Sequence, residues 1–163
     1  MGRRGAGGSR SLNLTLAAVG RCKPGPEKTL FDHYSGRLGW RLILKEVEEK
    51  RPLPVPERMA REAQLLRGCI PKGAVVVALD ERGRSFTSPA FAELLGQWRD
   101  SGRGEIAFLI GGADGHEPAL RQSADLLLCL GTMTWPHMLV RGLLAEQLYR
   151  AECILANHPY HRV

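Results

Sequence analysis

The order of periodicities along this chain predicts a single α/β domain with a mainly parallel sheet and helices on both faces. Three observations carry that prediction. Short apolar or alternating runs, as in strands, take turns with stretches of helical periodicity from Leu12 to Leu155. One run, Ala74 to Leu79 (AVVVAL), is continuously apolar and largely β-branched, which suits a central parallel strand covered on both faces. The chain has 163 residues, enough for one sizeable core, and shows neither an internal repeat nor a second domain.

The elements follow in order. Residues 1–11 (MGRRGAGGSRS) are rich in Gly, Arg and Ser and read as a flexible basic arm, leaving 12–163 as the domain. Leu12 to Val19 is a strand, ended by Gly20 and the Pro24-Gly25-Pro26 breaker. Leu30, Phe31, Tyr34 and Leu38 recur at helical spacing up to Gly39, which serves as a C-cap. Arg41 to Val47 is the second strand, and a charged, Pro-rich loop covers Lys50 to Pro56. A helix then runs from about Glu57 to Arg67, closed by Gly68. After the Ala74–Leu79 strand, Ser88-Pro89 opens a helix in the N-cap/N1 arrangement, with Phe91, Leu94, Leu95 and Trp98 as its apolar stripe. Glu105 to Ile110 is a strand, Glu117 to Ser123 a short helix, Asp125 to Leu130 the fifth strand, and Pro136 to about Leu155 a long last helix.

Composition narrows the classes of function. Apolar residues make up 44% and charged residues 25%, which is globular usage and excludes a disordered chain. No apolar run reaches the roughly 18 residues of a membrane span, and Leu12 to Val19 lacks the cleavage site of a secretory signal. Cys22, Cys69, Cys129 and Cys153 stand far apart without a C-x-x-C pair. Reduced core thiols in a cytoplasmic protein are therefore expected, with no metal site and no disulfide framework. The net charge is +6, and half of it comes from Arg3, Arg4 and Arg10 in the arm. The remaining +3 is compatible with a polyanionic partner without requiring one.

In open parallel sheets ligands bind at the carboxyl ends of strands, so the strand-to-loop junctions are the places to look. The first, Gly20-Arg21-Cys22-Lys23-Pro24-Gly25, is not the G-x-G-x-x-G of a dinucleotide site. Ile110-Gly111-Gly112-Ala113-Asp114-Gly115 is either a tight turn or a loop whose backbone approaches a ligand closely. On the second reading, a side chain at Gly111 would fill the ligand's space. Leu130-Gly131-Thr132-Met133-Thr134-Trp135-Pro136 is unusually apolar for a loop, and Met133 and Trp135 either pack on the core or wall a ligand or interface. The last helix has a broad apolar face (Val140, Leu143, Leu144, Leu148, Ala151, Leu155) that suits either the core or a dimer contact. Glu146 and Arg150 pair on its other side. In the tail, Asn157 to Val163, Pro159 argues against a further helical turn. Its His, Tyr and Arg residues either fray or meet a base and its phosphates.

Four phrases, LIGGADG (109–115), TWPH (134–137), LVRGLLAEQLYRA (139–151) and NHPYHR (157–162), together resemble the small SPOUT-class methyltransferases that methylate N3 of pseudouridine in large-subunit ribosomal RNA. The likeness runs from Leu12 to Val163 and is most specific in the final third. It implies a C-terminal trefoil knot, which no pattern argument would give. It further implies S-adenosylmethionine as cofactor, a homodimer, and ribosomal RNA or the assembled ribosome as partner. Cofactor contacts are implied at Leu79, Gly111, Leu130, Gly131, Thr132, Met133, Thr134 and Trp135. The tail of one subunit is implied to approach the site of the other. The chain departs from the family in Gly-Thr-Met-Thr-Trp at 131–135, where Ser-x-Leu-Thr-Leu is common, and in Ala113-Asp114, where Pro-Glu is commoner. Methylating a pseudouridine N3 requires a proton to leave. His161 as its acceptor, Arg162 as electrostatic partner or phosphate clamp, and Arg141 in support are the expected catalytic residues, with His137 structural. A non-catalytic ribosome-assembly factor and a SPOUT enzyme acting on transfer RNA are the competing readings.

Overall fold

The computed structural model describes residues 11–162, with His161 and Arg162 described in backbone only. The arm expected over residues 1–11 therefore lies outside the described residues, save Ser11. Five strands, β1 (Asn13–Val19), β2 (Arg41–Val47), β3 (Val75–Ser85), β4 (Glu105–Ile110) and β5 (Leu126–Cys129), form one sheet in the order β2-β1-β4-β3-β5. Every pairing is parallel. The helices are α1 (Pro26–Arg37), α2 (Val55–Arg67), α3 (Ser88–Asp100), α4 (Pro118–Ser123) and α5 (His137–Leu155).

Alternation along the central strands sorts the core into two layers. Leu12, Leu14, Leu16, Val75, Val77, Ile106 and Phe108 point to one face, where Phe31, Phe91, Leu95, Leu144 and Leu148 cover them. Ala17, Val19 and Leu109 point to the other, under Ala63 and Leu66 of α2 and Leu120 of α4. The broad apolar face of α5 is thus largely absorbed by its own subunit, with Leu144, Leu148 and Ala151 buried. Gly142 lets α5 approach α1, since a Cβ there would stand 2.7 Å from the Leu30 side chain.

Proline placement explains the helix starts. α1, α2, α3 and α4 each carry Pro in their first two positions, where the missing N–H needs no partner. For this reason the Pro-rich stretch expected as loop up to Pro56 instead supplies the first residues of α2, from Val55. The cap of α3 is Thr87, one residue earlier than expected, and its hydroxyl accepts from the Ala90 N–H at 3.2 Å. Ser88 Oγ is free to donate to Gln147 Oε1 on α5, at 2.7 Å.

Three local expectations are corrected. Gly39 does not close α1, whose C-cap is Leu38; the backbone N–H groups of Gly39 and Trp40 donate instead to the two oxygens of Glu152, at 2.8 and 2.7 Å. β3 does not stop at Leu79. It leaves the ladder over Asp80–Gly83 and returns, so that Leu79 and Arg84 both register with Leu128. The excursion crosses β5 so closely that a Cβ at Gly83 would lie 2.6 Å from the Leu127 carbonyl. Finally, Pro159 opens a 3-10 turn over Pro159–Arg162, where a break was expected. Asn157 takes φ 55°, and the N–H groups of Asn157 and His158 donate back to Ile154 and Cys153. That Schellman-type ending turns the chain back over α5, and a proline is tolerated where no N–H is needed.

Candidate active site

The carboxyl ends of β4 and β5, and the stretch of β3 that leaves the ladder, open on one cleft of ≈ 280 Å³. Three segments and the start of α5 wall it: Leu79–Arg82, Ile110–Gly115, Leu128–Trp135 without Thr132, and His137 with Val140. Seven of the eight residues expected to touch a cofactor line this one cleft, namely Leu79, Gly111, Leu130, Gly131, Met133, Thr134 and Trp135. Thr132 does not. Asp80, Glu81 and Arg82 went unforeseen because the third strand was expected to end at Leu79; the acidic run after AVVVAL was the available signal. His137, expected to be structural, stands in the cleft wall.

The glycine loop folds on itself. The Gly115 N–H donates to the Gly112 carbonyl at 3.0 Å, and Gly115 takes φ 79°. A Cβ at Gly111 would stand 3.0 Å from the Gly115 carbonyl carbon and 3.3 Å from His116 Cε1. Glycine is therefore required at this position by the loop's own packing. A Cβ at Gly112 would meet Glu62 Oε2 at 2.7 Å. Burial, aided by Asp114 and opposed by Arg58, raises the Glu62 carboxyl above its ordinary value. Arg58 Nη2 also donates to Asp114 Oδ2 at 2.5 Å and fastens the loop to α2.

In the apolar loop after β5, Leu130 packs against the core, but Met133 and Trp135 do not. Met133 is 73% exposed and Trp135 41%. Gly131 takes φ 127°, and the Cys129 thiol donates to its carbonyl at 2.8 Å. Leu128–Gly131 and Trp135 form a partition, since they also line a second cavity of ≈ 560 Å³ between α1, α3 and α5.

The expected catalytic residues fall in different places. Arg141 is 1% exposed and absent from the cleft wall. Its guanidinium donates to Glu46 Oε2 at 2.6 Å and to the carbonyls of Val19 and Gly20 at 3.3 and 2.8 Å, holding the end of β1 against β2. Burial opposes ionisation of Glu46, but the Cys22 N–H and Arg141 together hold its carboxyl below the usual range. The tail turn is anchored by Tyr160, whose hydroxyl donates to Glu146 Oε1 at 3.1 Å and whose ring lies 4.7 Å from that of Tyr149. Glu146 also accepts from Arg150, the pair read from the sequence. Glu146 and Arg150 line the second cavity, so Tyr160 stands beside that cavity and not in the cleft wall of its own chain. The side chains of His161 and Arg162 lie outside the described residues.

Comparison with known proteins gives a consistent answer. Residues 12–161 match the family described as "Predicted SPOUT methyltransferase". Proteins named Ribosomal RNA large subunit methyltransferase H are 62% identical in Paramagnetospirillum magneticum and 59% identical in Rhodospirillum centenum. Each aligns over 151 residues, 93% of this chain and 99% of the relative. Among solved structures, a methylase-family protein of Haemophilus influenzae superposes with a TM-score of 0.56 at 12% identity, over 91% of this chain and 70% of that one. A methyltransferase of Legionella pneumophila, solved with bound S-adenosylmethionine, gives 0.50 at 13% identity, over 86% and 66%. At such identities the structures speak for the fold, while the family match and the close relatives span nearly the whole chain. The chain therefore belongs to the SPOUT methyltransferase family.

Proposed function

We propose that this protein transfers a methyl group from S-adenosylmethionine to N3 of a pseudouridine in large-subunit ribosomal RNA, acting as a homodimer whose C-terminal segment is threaded into a trefoil knot. The observation that carries the reading is the convergence of seven expected contact residues, from three separate segments of the chain, on one cleft. The names of the relatives that match from end to end supply the substrate class.

The donor set of the cleft fits the methyl donor. Leu79, Ile110, Leu130, Met133 and Trp135 offer an apolar wall for a purine. Asp114 is paired with Arg58 and Asp80 with Arg82, at 3.5 Å, so Glu81 tips the lining toward negative charge, which favours a ligand carrying a sulfonium and an ammonium. The donor supplies an electrophilic methyl, which makes alignment and exclusion of water the protein's main tasks. The glycine loop and the 130–135 loop provide backbone groups for alignment. Met133 and Trp135, exposed as they stand, are suited to close over the reacting atoms or to meet a second subunit. His161 accepts the N3 proton and Arg162 steadies the anion or clamps a phosphate. Because Tyr160 is fastened beside the second cavity of its own chain, we assign the tail to the partner's cleft, with the α1–α5 rim and Trp135 forming the interface.

Mass spectrometry of ribosomal RNA from a deletion strain tests the reaction: one methyl should be missing from one pseudouridine and return with the intact gene. An unchanged modification pattern would leave the assembly-factor reading standing, and a change confined to transfer RNA would move the substrate there. Calorimetry tests the cleft. Ala113→Trp, which fills it from the glycine loop, should abolish S-adenosylmethionine binding without loss of the fold.

A further inference from the structure

A buried imidazole lies beneath the glycine loop, unused by the reaction outlined above. His116 is 5% exposed and precedes the short helix α4. β3 pairs with β4 only as far as Ala78↔Leu109, and the next residue of β3, Leu79, registers with Leu128 of β5. Beyond Leu109 no ladder bond joins β3 to β4, although Leu79 and Gly111, just past the last pair, both stand in the cleft wall.

The side chain of His116 fills this gap. Its Nε2 is 3.2 Å from the Leu109 carbonyl, and the Leu79 carbonyl faces the same ring. A carbonyl only accepts, so Nε2 carries the proton that meets Leu109. Its Cε1 lies directly behind Gly111, 3.3 Å from where a Cβ would stand. Burial is the largest influence on the ring and lowers its pKa below the ordinary histidine value, so the imidazole is neutral at pH 7.

We infer that His116 is a positioning residue for the methyl donor: it takes over from the β3–β4 ladder where that ladder stops, and so fixes the spacing between the Leu79 and Gly111 walls of the cleft. It touches neither donor nor RNA, and the inference rests on the reading that this cleft holds S-adenosylmethionine.

His116→Leu keeps the bulk and removes the donor, whereas His116→Gln presents an amide N–H to the same carbonyl. His116→Leu should weaken S-adenosylmethionine binding by about tenfold in calorimetry, the scale of one buried hydrogen bond. The KM for the donor should rise in parallel, with kcat at saturation and the KM for RNA unchanged. His116→Gln should restore most of the affinity. Hydrogen exchange on the ligand-free protein should show faster exchange over residues 110–115 in the Leu variant alone. If the Leu variant does not fold, His116→Asn, polar but too short to reach Leu109, carries the same expectation. Wild-type affinity in a folded Leu or Asn variant, or equal weakness in the Gln variant, overturns the inference. Retained binding in Ala113→Trp would instead overturn the assignment of the cleft.

Discussion

Replacing Arg141 by Met separates a catalytic arginine from a structural one. The substitution keeps most of the volume and deletes the guanidinium, leaving the Glu46 carboxylate with only the Cys22 N–H and leaving the Val19 and Gly20 carbonyls without this donor. Removing one partner of a buried ion pair costs about 3–5 kcal/mol. The Glu46 side chain is 25% exposed and can recover some hydration, which puts the expected loss at the lower end, about 3 kcal/mol. At about 2–4 °C per kcal/mol for a chain of this size, Tm should fall by about 6–12 °C. The sign of the pH dependence follows from Glu46. Its carboxyl is held below the usual range, so the stabilisation is present above the unfolded value of 4.5 and fades as pH falls below it. The gap between wild type and Arg141→Met in urea melts should therefore narrow in acid. Adding Glu46→Gln should recover about 1 kcal/mol or more of the loss, because the uncompensated charge is gone. Well below the melting temperature, kcat should stay within a few-fold of wild type. A variant with unchanged Tm and a kcat lower by a hundredfold or more would refute this argument and return Arg141 to the chemistry.

Four further outcomes are expected. Deleting residues 158–163 should leave cofactor affinity near normal and remove methyl transfer; loss of the Tyr160 and His158 hydrogen bonds and of the Tyr149 ring contact should cost about 2–3 kcal/mol in a urea melt. Mixing that truncation with Ala113→Trp chains should regenerate one working site per mixed dimer if tail and cleft come from opposite subunits, and none if they come from the same one. Removing residues 1–11, with their three arginines, should flatten the salt dependence of RNA binding by a slope of about 2 in log K against log salt, with turnover at saturation unchanged. Glu49 is held at a pKa of about 2 by hydrogen bonds from Arg51, with Arg61 adding to them against burial, so its contribution is present above pH 4.5 and lost as pH falls toward 2. Glu49→Gln should be less stable than wild type at pH 7 in urea melts, and the difference should shrink through the acid range.

By itself the sequence determined the alternation of elements, the two-faced core and the strand ends at which to look. These rest on local periodicity, which the apolar runs of β1, β3 and β4 state directly. It also supplied the phrases that mark the family, and through them seven of the nineteen residues of the cleft wall. Tertiary structure decided what depends on partners far along the chain. Gly39 looks like a helix terminator until Glu152, 113 residues away, is found on its N–H. Arg141 looks available for chemistry until Glu46 and the end of β1 are found around its guanidinium. Gly111 needs its hydrogen because Gly115 and His116 stand behind it, and Asp80–Arg82 enter the site because β3 leaves the ladder there. In each case the local residue types permit several environments. The energetic choice among them, such as pairing a buried charge or closing a ladder that stops short, is made only once distant segments are brought into contact.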